Sequence, residues 1–240
     1  LAVERWIASV RPNSRLKVTF PLIKANDPRR PTAAIDPALV VWRYDEDNSP
    51  HPAMNPPTSP ALEREISAIA RQPFNMPAWK VSARAAGDRL GSDSTRGLMA
   101  LMVNPPPAPD TFTEWEWIFH VQIAAALVIA QSSRSWEFPI EKKGIFGKSS
   151  QPAPRKQALF ALLRGAMDWT VTAAILALTE LALDEPEHDQ EIARWLFALN
   201  VARPRQLPVP YYDALALCGL RLKSVSKRER GEYEKMLTED

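Results

Sequence analysis

Between Arg155 and Leu183 lies the densest apolar segment of the chain, RKQALFALLRGAMDWTVTAAILALTELAL. It constrains the fold more than any other feature, because a stretch this apolar has to be covered on most of its sides. Its period is helical. Leu159, Leu162 and Leu163 share a face before Gly165, and Val171, Ala174, Ile175, Leu178 and Leu181 follow at i, i+3, i+4, i+7 and i+10. Pro154 suits the start of the first helix, and Asp168 suits the cap of the second. Two short helices joined at Gly165–Asp168 are therefore expected, as the central hairpin of a stack of helices.

The neighbouring segments fit such a stack. Ser59-Pro60 opens a helix carrying Leu62, Ile66 and Ile69 up to Arg71. Further helices are predicted over Trp79–Leu90, ended by Gly91, and over Thr95–Val103, ended by Asn104-Pro105-Pro106-Pro107. Thr113-Glu114-Trp115-Glu116 is a capping box, followed by an apolar face of Trp117, Val121, Ala124, Leu127 and Val128 out to about Gln131. The next segment, Ser132–Pro154, reads as a loop whose Trp136, Phe138, Ile145 and Phe146 require parts of it to tuck down. Later helices start at Pro186 (Ile192, Trp195, Leu196, Leu199) and at Pro210 (Leu215, Leu217, Cys218, Leu220, Leu222). The last starts at a second capping box, Ser226-Lys227-Arg228-Glu229.

Residues 1–58 differ. Proline is abundant in the chain, with 23 against 8 glycines, and it crowds this region, where each one removes a backbone donor and disfavours helix before it. Leu16, Val18, Phe20 and Leu22 alternate with Lys17, Thr19 and Pro21, and Ala38–Tyr44 is β-prone. A proline-rich extended lead over 1–58, with two short strands, followed by a helical-repeat domain over 59–240, is the expected organisation.

The bulk numbers bound the function. Apolar residues are 45% of the 240, enough for a sizeable core, and the net charge is only +2. A whole-chain nucleic-acid footprint is normally far more basic. The apolar runs Ile123–Ala130 and Ala173–Leu178 fall far short of the ~20 residues of a membrane helix. Cys218 is the single cysteine, which excludes an internal disulfide framework and fits a reducing compartment, so a cytoplasmic location is expected. No secretory leader is expected at the start, and the first residue, Leu1, is consistent with a processed product or a piece of something longer.

The run Leu162-Leu163-Arg164-Gly165-Ala166-Met167-Asp168-Trp169-Thr170-Val171-Thr172-Ala173-Ala174 resembles a HEAT repeat. A leucine pair closes its first helix, Asp168 stands in the turn, and Val171, Ala174, Leu178 and Leu181 follow in the second. Thr172 stands where the family usually has arginine, and Ala177-Leu178 sits about one residue early. Trp115–Ala130 resembles a looser second copy. The resemblance implies a mostly α fold, an armadillo-like α-α superhelix (α-solenoid) of HEAT-like hairpins, and a protein-binding or scaffolding role without catalytic residues.

Candidate chemistry is sparse. Gly144-Ile145-Phe146-Gly147-Lys148-Ser149 invites a phosphate-loop reading, but Lys142 occupies the position of the first glycine, and Pro152 and Pro154 interrupt the helix that would have to follow. A basic loop remains, in which Lys142, Lys143 and Lys148 are the candidate contacts to an acidic partner. His120 lies four residues after Glu116, yet no convergent set of ligands accompanies the pair. His188 lies in the acidic run Asp184–Glu191, which reads as a loose cation site or as carboxylates complementing a helix N-terminus. Cys218 sits among leucines and reads as an inert buried thiol.

Trp115, Trp117, Trp169 and Trp195, with acids and arginines, bring to mind the HEAT-like DNA glycosylases, although no matching motif is found. Arg5, Arg11, Arg15, Lys17, Lys24, Arg29 and Arg30 make the first residues basic. The leading expectation is a non-enzymatic protein-interaction or scaffold module whose partner is another protein, with no cofactor, metal or catalytic residue and no membrane. The alternative is a nucleic-acid-binding or DNA-processing HEAT-like protein.

Overall fold

The computed structural model describes residues 58–103, 105–144, 147–163, 169–202 and 209–238. The extended lead, its two strands and its basic side chains lie outside these residues, as do the Gly165–Asp168 joint and the Ile145-Phe146 pair. The protein is mostly helical, and its described part falls into two compact units, residues 58–177 and residues 178–238.

The first unit contains α1 (Pro60–Ala70), α2 (Met76–Leu90), a 3-10 turn (Ser92–Ser94), α3 (Thr95–Val103), α4 (Glu114–Gln131), β1 (Glu137–Gly144), β2 (Gly147–Pro154), α5 (Arg155–Leu162) and the beginning of α6 (Trp169–Asp184). Its helix starts are written in the sequence. The Ser59 hydroxyl accepts the Leu62 N–H at 3.2 Å, with Pro60 at the first helical position. Asn75 caps α2 through the Ala78 N–H at 3.0 Å, so this helix begins at Met76 and not at Trp79. It ends at Gly91, whose φ of 73° lies in the left-handed region that glycine reaches without strain. At the start of α4 the Glu116 carboxylate accepts the Thr113 hydroxyl at 2.8 Å and the Thr113 N–H at 3.4 Å.

The core of this unit is α4. Every residue from Phe119 to Ala130 is buried, and α1, α2, α3 and α5 all pack against it. Large anchors come from α2 and from the first turn of α4 itself. Trp79 and Trp117 are buried, and each indole N–H would be an orphan without a partner. Trp79 donates to the Pro73 carbonyl at 3.2 Å and Trp117 to the Pro106 carbonyl at 2.8 Å. The prolines that break the chain thus also satisfy its tryptophans. Truncating either tryptophan to alanine should cost about 3–5 kcal/mol. Deeper in, Gln122 donates to the Met102 carbonyl (2.8 Å) and to the Thr170 hydroxyl (3.1 Å), tying α3, α4 and α6 together.

The expected loop Ser132–Pro154 is instead a β-hairpin. β1 and β2 pair antiparallel over their whole length, from Glu137 opposite Pro154 to Gly144 opposite Gly147. Trp136, Phe138 and Ile140 are buried while Glu137 is exposed, so the base of β1 has the period of a strand seated on a core. β1 packs on α3 and α5. Trp136 and Phe138 are thus tucked down, as expected.

The second unit holds the end of α6, a 3-10 turn (Pro186–His188), α7 (Asp189–Ala202), α8 (Val209–Arg221) and α9 (Lys227–Met236). The helix expected from Pro186 is therefore a single 3-10 turn there, and the α-helix proper begins at Asp189. α7 packs on α8, and α8 on α9. The second capping box is complete: the Ser226 hydroxyl accepts the Glu229 N–H at 3.2 Å, and Glu229 accepts the Ser226 N–H at 2.8 Å. Tyr233 of α9 is fully buried, lies edge-on to Phe197 at 6.0 Å and passes over Gly219 of α8.

Candidate functional site

The lysines singled out from the sequence lie on the hairpin, and its register shows how the chain builds it. Pro139 stands opposite Pro152, and Glu137 opposite Pro154. In an antiparallel ladder, pairs that exchange two hydrogen bonds alternate with pairs that exchange none. These two pairs are separated by two steps, so all three prolines occupy one class of position. Having no N–H, they fit the non-bonded class, whose donors face away from the partner strand. The closing pair Gly144–Gly147 gives the same parity: around a two-residue loop it is the bonded pair, which makes Lys143–Lys148, Glu141–Ser150, Pro139–Pro152 and Glu137–Pro154 the non-bonded ones.

Lys143 is thus paired with Lys148 next to the closing glycines, and Lys142 with Ser149 one step further down. Residues 141–151 hold three lysines against one carboxylate, Glu141. Like charges directly opposite each other cost a few tenths of a kcal/mol or more.

The hairpin is anchored at its base by a residue the sequence did not flag. Arg155 follows β2 directly and is buried, and its guanidinium donates to the carbonyl of Ser132, the residue that ends α4. A cation at the negative end of a helix is favourably placed. The contact also ties together the chain entering the hairpin and the chain leaving it. The sequence carried only a weak signal for this, a basic residue at the first position after a proline.

Of the other candidates, His120 and Cys218 stand apart from any ligand set, whereas His188 meets two carboxylates. His120 is buried against Trp79 (5.2 Å), Phe112 (5.4 Å) and Phe74 (6.4 Å), and its Nδ1 lies 2.8 Å from the Ala70 carbonyl at the end of α1. Burial lowers its pKa, against the opposing pull of the Ala70 carbonyl and the Glu116 charge. Glu116 itself is engaged by Thr113, so the pair is structural. Glu185, Glu187 and His188 bring their ligand atoms within 4.8 Å of one another beside the first turn of α7, and His188 Nε2 is 3.3 Å from Glu185 Oε2. Glu187 is exposed and the other two are half-buried, at a helix start where carboxylates complement the macrodipole.

Asp189 has a different task. Its carboxylate accepts the backbone N–H groups of Lys223 (3.0 Å) and Ser224 (2.6 Å), clipping the start of α7 to the turn after α8. Burial by itself would raise its pKa, but the hydrogen bonds from Ser224 and Lys223 outweigh it and hold the carboxyl below its ordinary range. Cys218 is fully buried, and burial pushes its thiol up to about 11, so it is no nucleophile at neutral pH. Beside it Glu180 is buried and paired with Arg221 at 2.7 Å. Among the described tryptophans, Trp79, Trp117 and Trp136 are core residues, and no helix of the described residues is long and apolar enough to cross a membrane.

No family model, curated protein or solved structure matches the chain.

Proposed function

We propose that the chain is a non-enzymatic interaction module: a helical scaffold that presents a basic β-hairpin to an acidic protein partner. The observation that carries this reading is the register that sets Lys143 opposite Lys148, with Lys142 adjacent, at the closed end of a hairpin anchored through Arg155. The titratable groups described elsewhere have structural partners: His120 with Ala70, Asp189 with the turn after α8, Cys218 inside a leucine-rich core. A cytoplasmic setting and a HEAT-like hairpin formed by α5 and α6 belong to the same proposal. For α4, the looser copy, burial on every side fits a helix at the centre of a bundle better than one layer of a superhelical stack.

The test is a titration of the full chain against polyglutamate, and separately against duplex DNA, at increasing salt. Polyglutamate should bind at low salt, and reversing the three lysines (K142E, K143E and K148E together) should abolish binding while leaving the circular dichroism unchanged. Binding that survives the triple reversal overturns the reading. Duplex binding of equal strength, with a steep salt dependence, favours the nucleic-acid alternative.

A further inference from the structure

The corner between α6 and α7 brings one imidazole and two carboxylates together. Glu185 immediately precedes the 3-10 turn Pro186–His188, and the His188 N–H donates to the Glu185 carbonyl at 2.9 Å. With three residues per turn, side chains three apart in such a turn stand one above the other. Glu185 and His188 are stacked in this way, with His188 Nε2 3.3 Å from Glu185 Oε2. The Glu187 carboxylate joins them, so that all three ligand atoms lie within 4.8 Å of one another. The backbone beneath is fixed: Pro186 sets its own φ, and the next residue, Asp189, is clipped to the Lys223 and Ser224 amides.

The donors decide the ion. Carboxylates alone attract any cation, but an imidazole nitrogen does not suit Mg2+ or Ca2+, which take oxygen. Zn2+ takes both donors at about 2.0–2.2 Å, and around a tetrahedral ion such bonds set neighbouring donors about 3.3–3.6 Å apart. The separation between Glu185 and His188 already has that value. Glu187 is exposed, and rotation of its side chain closes the rest of the distance. The two carboxylates match the two charges of the ion, so no net positive charge is added at the positive end of the α7 dipole.

We propose that Glu185, Glu187 and His188 bind a zinc ion, with three protein ligands and a fourth position open to water. The ion fixes the corner at which α7 begins. The site shares no residue with the hairpin, so it stands or falls separately from the lysine-dependent reading.

The experiment uses the full chain, with Co2+ as a spectroscopic stand-in for Zn2+ and ring-15N spectra of its three histidines. One equivalent of Co2+ should give the intense visible absorption of a tetrahedral ion, which Zn2+ bleaches by displacement and excess Mg2+ does not. Zn2+ should shift the ring signals of His188 and leave those of His120 in place. Glu187→Gln and His188→Gln should each weaken Zn2+ binding at least about ten-fold, since even the loss of an outer-shell partner costs that much. Glu191→Gln removes an exposed carboxylate of the same acidic run, outside the cluster, and should change nothing. Should a variant not fold, the ring spectra of the unaltered chain decide. A His188 ring that Zn2+ does not move overturns the site. Displacement of Co2+ by Mg2+, or an equal loss in Glu191→Gln, overturns it as well, because either shows attraction to negative charge in general.

Discussion

Gly219 and Gly87 both lie inside helices, and alanine at either should gain about 0.8–1 kcal/mol of helix propensity. Their surroundings make the net effects opposite. A Cβ on Gly87 would meet the Ser132 Cα at 3.7 Å, an ordinary contact, so Gly87→Ala should stabilise by about 0.5–1 kcal/mol. A Cβ on Gly219 would run into three ring atoms of Tyr233, the least crowded of them at 2.8 Å. The ring is fully buried and pinned beside Phe197, so it has little room to swing. Overpacking of this kind costs about 1–3 kcal/mol, and a rigid ring belongs at the upper end. Net of propensity, Gly219→Ala should destabilise by about 2 kcal/mol, which lowers the urea midpoint by about 1 M for a slope near 2 kcal/mol/M. Hydrogen exchange in α9 should accelerate in parallel. Adding Tyr233→Leu should recover part of the loss, as a positive coupling of about 1 kcal/mol in a double-mutant cycle. A Gly219→Ala protein that unfolds at or above the midpoint of the unaltered chain would refute the argument that α8 and α9 meet on this glycine.

Asp189→Asn puts an amide N–H₂ against one of two backbone donors and removes the charge, so it should cost about 2 kcal/mol at neutral pH by urea unfolding. Because the folded pKa of Asp189 is depressed, its contribution is complete above the unfolded value of about 3.9 and is lost as the pH falls through the folded value; the variant should lack that acid limb. His120 gives the same sign in a higher pH range. Its folded pKa is lowered, so the neutral form is favoured and stability should decline as the pH falls below the unfolded value of about 6.5; His120→Gln should flatten the profile over the first unit or so below that point. Cys218 should resist alkylation by iodoacetamide at pH 8 in the native chain and react fully in urea, and reaction at the native rate of a free thiol would contradict its burial.

The helix starts were legible because each is encoded by a few adjacent residues. Ser59-Pro60 and the Ser226–Glu229 box occupy the positions that hydrogen-bond to the first turn, and both make those bonds. Asn75 carries the same information for α2, which was expected to start at Trp79: its side chain accepts the Ala78 N–H, and Pro77 in the first turn costs nothing there. Asp189 was read for its charge at a helix start. Its pairing with the Lys223 and Ser224 amides depends on a turn more than thirty residues away, and no local pattern encodes that. The aromatic surroundings of His120 are non-local in the same way, since Phe74, Trp79 and Phe112 come from three separate segments.

The segment expected as a loop is a hairpin in which the positions of the prolines matter more than their number. Three prolines in eighteen residues argue against a strand only if each must donate to a ladder. Around the two-residue loop between Gly144 and Gly147, positions 139, 152 and 154 all fall at an odd number of steps from the closing pair. That is the class of position where a strand asks for no donor. A single displacement by one residue would have put a proline into a bonded pair and broken the ladder. The coincidence of the three parities is therefore itself a strand signal, and it was present in the sequence together with the period-2 run Trp136, Phe138, Ile140. Prolines confined to outward positions leave every bonded pair of the hairpin its donors, so the ladder runs unbroken from Glu137–Pro154 to Gly144–Gly147.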